Sequence, residues 1–100
     1  MLDKTLQNLL GTPIQTGGAV TATSGPILPD RQENVRNRAF IQNTGTGTLW
    51  LAFGGVAIAG KCLFLAPNQS LVLEAGDNYS GLISGVSDTT TTYAATEFLQ

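Results

Sequence analysis

The sequence predicts an all-β fold, a small antiparallel β-sandwich or barrel of about six to eight strands with an extended N-terminal arm. Three observations predict it. Strand-like runs begin every 9 to 13 residues from Val35 onward, and Gly, Pro, Asn or Asp closes almost every one. Thr and Gly are abundant, at 13 and 12 of 100 residues, which suits strands and the turns between them. Within the runs, side chains alternate with period two and both faces are apolar, so each run needs cover on two sides.

Residues 1–34 read as arm and connector, and residues 35–100 as the β domain. In the arm, Leu2, Leu6, Leu9 and Leu10 stand at near-helical spacing ahead of Gly11-Thr12-Pro13. That predicts a short amphipathic helix over 2–10, which is too short to hold alone in water and needs a surface to lie on. Ile14 to Thr23 is an edge strand or an extended arm. Ser24 to Asp30, with Pro26 and Pro29, is an extended connector rather than a strand interior. Val35 to Asn43 and Thr48 to Phe53 are strands joined by Thr44-Gly45-Thr46-Gly47, a hairpin signature. Lys61 to Ala66, Ser70 to Glu74, Gly81 to Val86 and Tyr93 to Leu99 complete the set, with Pro67-Asn68 and Ala75-Gly76-Asp77-Asn78 as turns.

Composition narrows the function. Seven acids against five bases leave a net charge of -2, so the clustered basic surface of a nucleic-acid domain is missing. The chain has no His and one Cys, which removes His-based acid–base and triad chemistry and most zinc sites. The expectation is no enzyme, no cofactor and no metal site. Lone Cys62 has no intramolecular disulfide partner and reads as a small buried hydrophobe. Met1-Leu2-Asp3-Lys4 does not open a signal peptide. The longest uncharged apolar run, Leu49 to Gly60, is twelve residues, short of the roughly 20 that cross a bilayer, so no membrane partner is expected. That run has the Gly/Ala/Phe texture of a membrane-inserting peptide, but acting so requires exposure. The ordinary reading is a buried strand and a small-residue loop.

Few residues stand out as sites. Glu74 and Asp77 form the closest acidic pair of the β region, on a Gly turn where solvated acids sit, and too few oxygens gather there for calcium. Arg31, Arg36 and Arg38 are the one cluster of bases. Arg36 and Arg38 share a strand face and are candidate polar contacts, for an acidic partner or within the domain. Leu49, Leu51 and Phe53 point to one strand face, while Trp50, Phe64 and Val72 occupy the second faces. Either the chain's own N-terminal segment or second sheet covers these three, or they form an oligomer or partner interface. With Leu2, Leu6, Leu9 and Leu10 they are the candidate interface.

Arg38-Ala39-Phe40-Ile41-Gln42-Asn43, Thr44-Gly45-Thr46-Gly47 and Thr48-Leu49-Trp50-Leu51-Ala52-Phe53-Gly54-Gly55 give a basic residue, an apolar strand ending in Gln-Asn, a Thr/Gly turn, a second strand and a Gly-rich end. This resembles small virion proteins of tailed bacteriophages. The style continues through Phe64 to Leu73, Tyr79 to Gly85 and Glu97-Phe98-Leu99, with Pro67-Asn68-Gln69 where the pattern has Pro-Gly-Gly. The resemblance implies a β-sandwich decoration, cement, fibre-base or tail accessory protein without catalytic residues. Its expected partners are itself, as a homo-oligomer such as a trimer, and a major capsid or tail protein. Its expected place is the virion, after synthesis in the host cytoplasm. The alternative is a carbohydrate- or receptor-binding module, in which Trp50, Tyr79 and Tyr93 stack on sugars.

Overall fold

A strand with two apolar faces needs a sheet against one and a loop or neighbour against the other. The computed structural model of the chain describes residues 12–31, 35–73 and 79–99. Its strands are β1 (Thr12–Val20), β2 (Gly25–Leu28), β3 (Arg36–Asn43), β4 (Leu49–Phe53), β5 (Leu63–Leu65), β6 (Ser70–Leu73), β7 (Ile83–Val86) and β8 (Thr91–Leu99). They form a first sheet of order β1-β8-β3-β6 and a second of order β2-β7-β4-β5. The antiparallel pairs are nested: β4 with β5 lies inside β3 with β6, then β2 with β7, then β1 with β8. One long ribbon folded over on itself in this way is the double-stranded β-helix, or jelly roll.

The six strands expected after residue 34 are all present; five are trimmed by up to two residues at their ends, and the last starts two residues earlier, at Thr91. Three expectations need correction. Of the two readings of residues 14–23 the edge strand holds, so residues 12–20 belong to the sandwich rather than to an arm, and residues 25–28 are a strand rather than a connector. β1 pairs with β8 along its whole length, and β2 pairs with β7. Pro26 is tolerated because β2 is an edge strand, where a missing N–H costs little, and the register shifts between Pro26 and Leu28. Second, β3 and β4 are not a hairpin: they sit in different sheets, and residues 44–48 carry the chain between them. Third, Arg36 and Arg38 do not share a face. A register shift between them against β8 turns Arg36 into the sandwich, opposite Leu99, and leaves Arg38 opposite Phe98. The expected helix over 2–10, with Leu2, Leu6, Leu9 and Leu10, lies outside the described residues, as do Glu74 and Asp77.

Buried Asn43 explains the crossover. Its Nδ2 donates to the carbonyls of Gly47 at 2.7 Å and Leu65 at 2.9 Å. Its Oδ1 accepts from the Gly45 N–H at 3.1 Å and the Thr91 hydroxyl at 2.7 Å. One amide thus satisfies two strands and the loop that joins the sheets. Gly45 is required there, since a Cβ would stand 2.6 Å from the Thr92 nitrogen.

The core lies between the sheets. Ala39, Ile41 and Ala95 enter from the first, and Leu28, Leu49, Leu51 and Ile83 from the second, each at most 4% exposed. The alternation along Leu49-Trp50-Leu51 decides which side chains do this: Leu49 and Leu51 face in, and Trp50 faces out.

Candidate interaction surface

Trp50 and Phe64 are register partners on the outer face of the second sheet, with ring centroids 5.0 Å apart. Val72 pairs with Phe40 on the outer face of the first sheet, on the opposite side of the sandwich. The three residues expected to share an interface are therefore split, because β5 and β6 belong to different sheets. Trp50 is half-buried, while Phe64 is 52% exposed.

The hairpin that carries Phe64 holds further exposed apolar residues that sequence reasoning did not single out. Val56 is 74% exposed and Ile58 55%, and Phe53 and Leu63 are also exposed. All of these lie within residues 53–64, the ends and loop of the β4–β5 hairpin. The loop owes its shape to Gly54 and Gly60, both at positive φ, and to the contact of Ala57 with the start of β2. The Ala57 N–H donates to Ser24 Oγ at 3.0 Å and Ala57 is buried, so its neighbours Val56 and Ile58 are left outside. A groove of about 610 Å³ runs between this loop and β2, lined by Ser24, Pro26, Val56, Leu82 and Ser84 among others. Cys62 is half-buried at the rim rather than in the core, its thiol 3.4 Å from the Ile58 carbonyl. The uncharged run from Leu49 to Gly60 was the available signal, and the exposure of its second half is what the sequence did not reveal.

Of the aromatic residues offered for sugar stacking, Trp50 lies on the outer face against Phe64, and the other two pack within the chain. Tyr79 stacks on Phe53, with centroids 5.4 Å apart and planes 10° from parallel. Tyr93 packs against the core.

The basic cluster turns inward. Glu97 is fully buried and binds two arginines: Oε1 accepts from Arg31 Nη2 at 2.8 Å and Oε2 from Arg36 Nε at 2.7 Å. Arg36 also donates to the carbonyls of Tyr79, Gly81 and Pro29 at 2.7–3.0 Å. The guanidinium thus ties three chain segments to β8. Desolvation pushes the Glu97 carboxyl up, but the hydrogen bonds and charges of Arg31 and Arg36 outweigh it and hold it below its ordinary value of 4.5. The hydrogen bond to Glu97 likewise raises Arg31, against a smaller desolvation effect. Of the expected polar contacts, Arg36 is thus committed to an internal clamp, with its partner Glu97 unforeseen. Among the described residues, no cluster of His, Cys, Asp or Glu is placed to hold a metal ion.

No protein-family model matches the chain, and no curated protein matches it. Among solved structures, it is similar to a de novo designed double-stranded β-helix, at 20% identity over 84% of this chain and 97% of that one, with a TM-score of 0.53. This likeness agrees with the fold read from the strand order. It is also similar to the disulfide-linked pili of Bacillus endospore appendages, at 16% identity over 89% and 90% of the two chains, TM-score 0.48. The coat protein of Tobacco streak virus aligns at 12% identity over 88% and 86%, TM-score 0.35.

Proposed function

We propose that this chain is a non-enzymatic structural subunit of a bacteriophage virion, a decoration, cement or fibre-base component that binds a capsid or tail lattice as a homo-oligomer. The observation that carries the reading is the concentration of exposed apolar side chains, Phe53, Val56, Ile58, Leu63 and Phe64, on one hairpin. The resemblance of residues 38–55 to small virion proteins supports the setting. Fully burying a large apolar side chain contributes about 1.5–3 kcal/mol, so five half-exposed ones supply on the order of 5 kcal/mol. Association itself costs about 4–15 kcal/mol, so one such contact is weak alone. Repeated around a ring or a lattice it becomes sufficient, which favours a symmetric assembly over an isolated pair. The leucines of residues 1–11 are a second contact in this reading. Removing residues 1–30 would take β1 and β2 as well.

Native mass, measured by light scattering behind size exclusion, tests the proposal. The expected result is a stable multiple of 10.4 kDa that falls on Phe64→Asp with Ile58→Asp. A mass unmoved by that double substitution overturns the assignment of the hairpin as an assembly surface.

A further inference from the structure

The sandwich has four edge strands, and three of them are blunted. β2 has four residues, a proline and a register shift, β5 has three residues and β6 has four. Short, kinked edges are how sheets avoid pairing with other chains. β1 is different. It has nine residues, pairs with β8 without a register shift and carries no charge, and its one proline, Pro13, stands at the second position, so Ile14 to Val20 keep every N–H. Gln15 to Ala19 are exposed, and among the described residues only β8 pairs with β1. At about 3.3 Å per residue, Ile14 to Val20 offer roughly 23 Å of backbone donors and acceptors along the free edge. A charged side chain in such an edge is the usual deterrent, and β1 has none.

We propose that β1 pairs antiparallel with β1 of a second copy, about a two-fold axis near Thr16, fusing the two first sheets into one of eight strands. The strand's own chemistry selects a second copy. Its Thr, Gln, Gly and Ala side chains oppose no like charges when it meets itself, and they hold no counter-charge for an acidic or basic strand. The two-fold makes the contact isologous, so one surface serves both subunits. This contact does not rest on the apolar hairpin. β1 and β5 are the far edges of different sheets, with β2 and β6 respectively as their neighbours across the sandwich.

The test is cross-linking in a Cys62→Ser background, which removes the one native thiol. Thr16→Cys is expected to give a disulfide-linked dimer on mild oxidation, and Ser70→Cys, on the β6 edge, at least tenfold less. Thr16→Lys sets two like charges opposite each other at the axis and is expected to halve the native mass, with the circular dichroism of the fold retained. Phe64→Asp is expected to leave the Thr16→Cys cross-link in place, so failure of the hairpin reading and failure of this one are separable. Equal cross-linking at Thr16→Cys and Ser70→Cys, or none at either, overturns the inference. So does hydrogen exchange showing the outward-facing β1 amides protected in a monomeric sample, the sign that another segment occupies that edge.

Discussion

At Glu97, charge and shape can be separated by a single isosteric change. Glu97→Gln keeps the volume but leaves Arg36 buried without its carboxylate, and breaking a buried pair from one side costs about 3–5 kcal/mol. Thermal unfolding at neutral pH checks this. The same residue sets an acid limit. The folded carboxyl titrates below the ordinary 4.5, so its contribution is complete above that value and is lost as pH falls through the folded value. The melting temperature of the native chain is therefore expected to drop steeply below about pH 4.5, and that of Glu97→Gln to drop less. Arg31, Arg36 and Arg38 were visible in the sequence as a cluster, but Glu97, the partner of Arg31 and Arg36, was not, because it lies 66 and 61 residues from them and reaches Arg36 through the pairing of β3 with β8. The bulge between Arg36 and Arg38 was equally hidden: a period-two reading puts both on one face, and one inserted residue reverses that.

Among elements, the turn between β5 and β6 shows local chemistry at work. The Gln69 N–H donates to the Ala66 carbonyl at 2.9 Å, and Asn68 holds φ at 69°. Left-handed backbone favours Gly and tolerates Asn, so Asn68 does the work of the Gly in the Pro-Gly-Gly pattern. Asn68→Gly is expected to change stability by less than about 0.5 kcal/mol and Asn68→Ala to cost about 1 kcal/mol, as chemical denaturation can measure. Such turns and the strands they bound were legible, since alternation and breakers are properties of a few adjacent residues. Strand partners were not. Alternation tells which side chains of Leu49 to Phe53 share a face, yet says nothing about which strand lies alongside, so a Thr/Gly turn that crosses between sheets reads the same as a hairpin. The apolar hairpin surface was half legible: Phe64 stood out, while Val56 and Ile58 are exposed only because Ala57 is drawn under the loop to Ser24.

At the scale of the whole molecule, Gly85 of β7 makes room for the side chains of its two neighbours in the second sheet, Ile27 of β2 and Leu49 of β4. A Cβ there would stand 2.7 Å from Ile27 Cγ1 and 3.2 Å from Leu49 Cδ1. Gly85→Ala is expected to cost about 1–3 kcal/mol by overpacking, seen as a lower denaturation midpoint with an unchanged slope. The nested ribbon has a kinetic consequence. β4 and β5 are separated by nine residues, whereas β1 and β8 meet across some seventy. Closing a long loop costs more entropy than closing a short one, but each inner pair, once formed, shortens the loop that the next must close. Folding is thus expected to start at the β4–β5 hairpin and zip outward, with mutational φ-values highest in β4 and β5 and near zero in β1. A chain emerging from the ribosome cannot complete its outermost pair until Leu99 has been made. The first surface to form is then the apolar hairpin, and the long uncharged edge is the last, so the two contacts proposed for assembly mature in a fixed order in time.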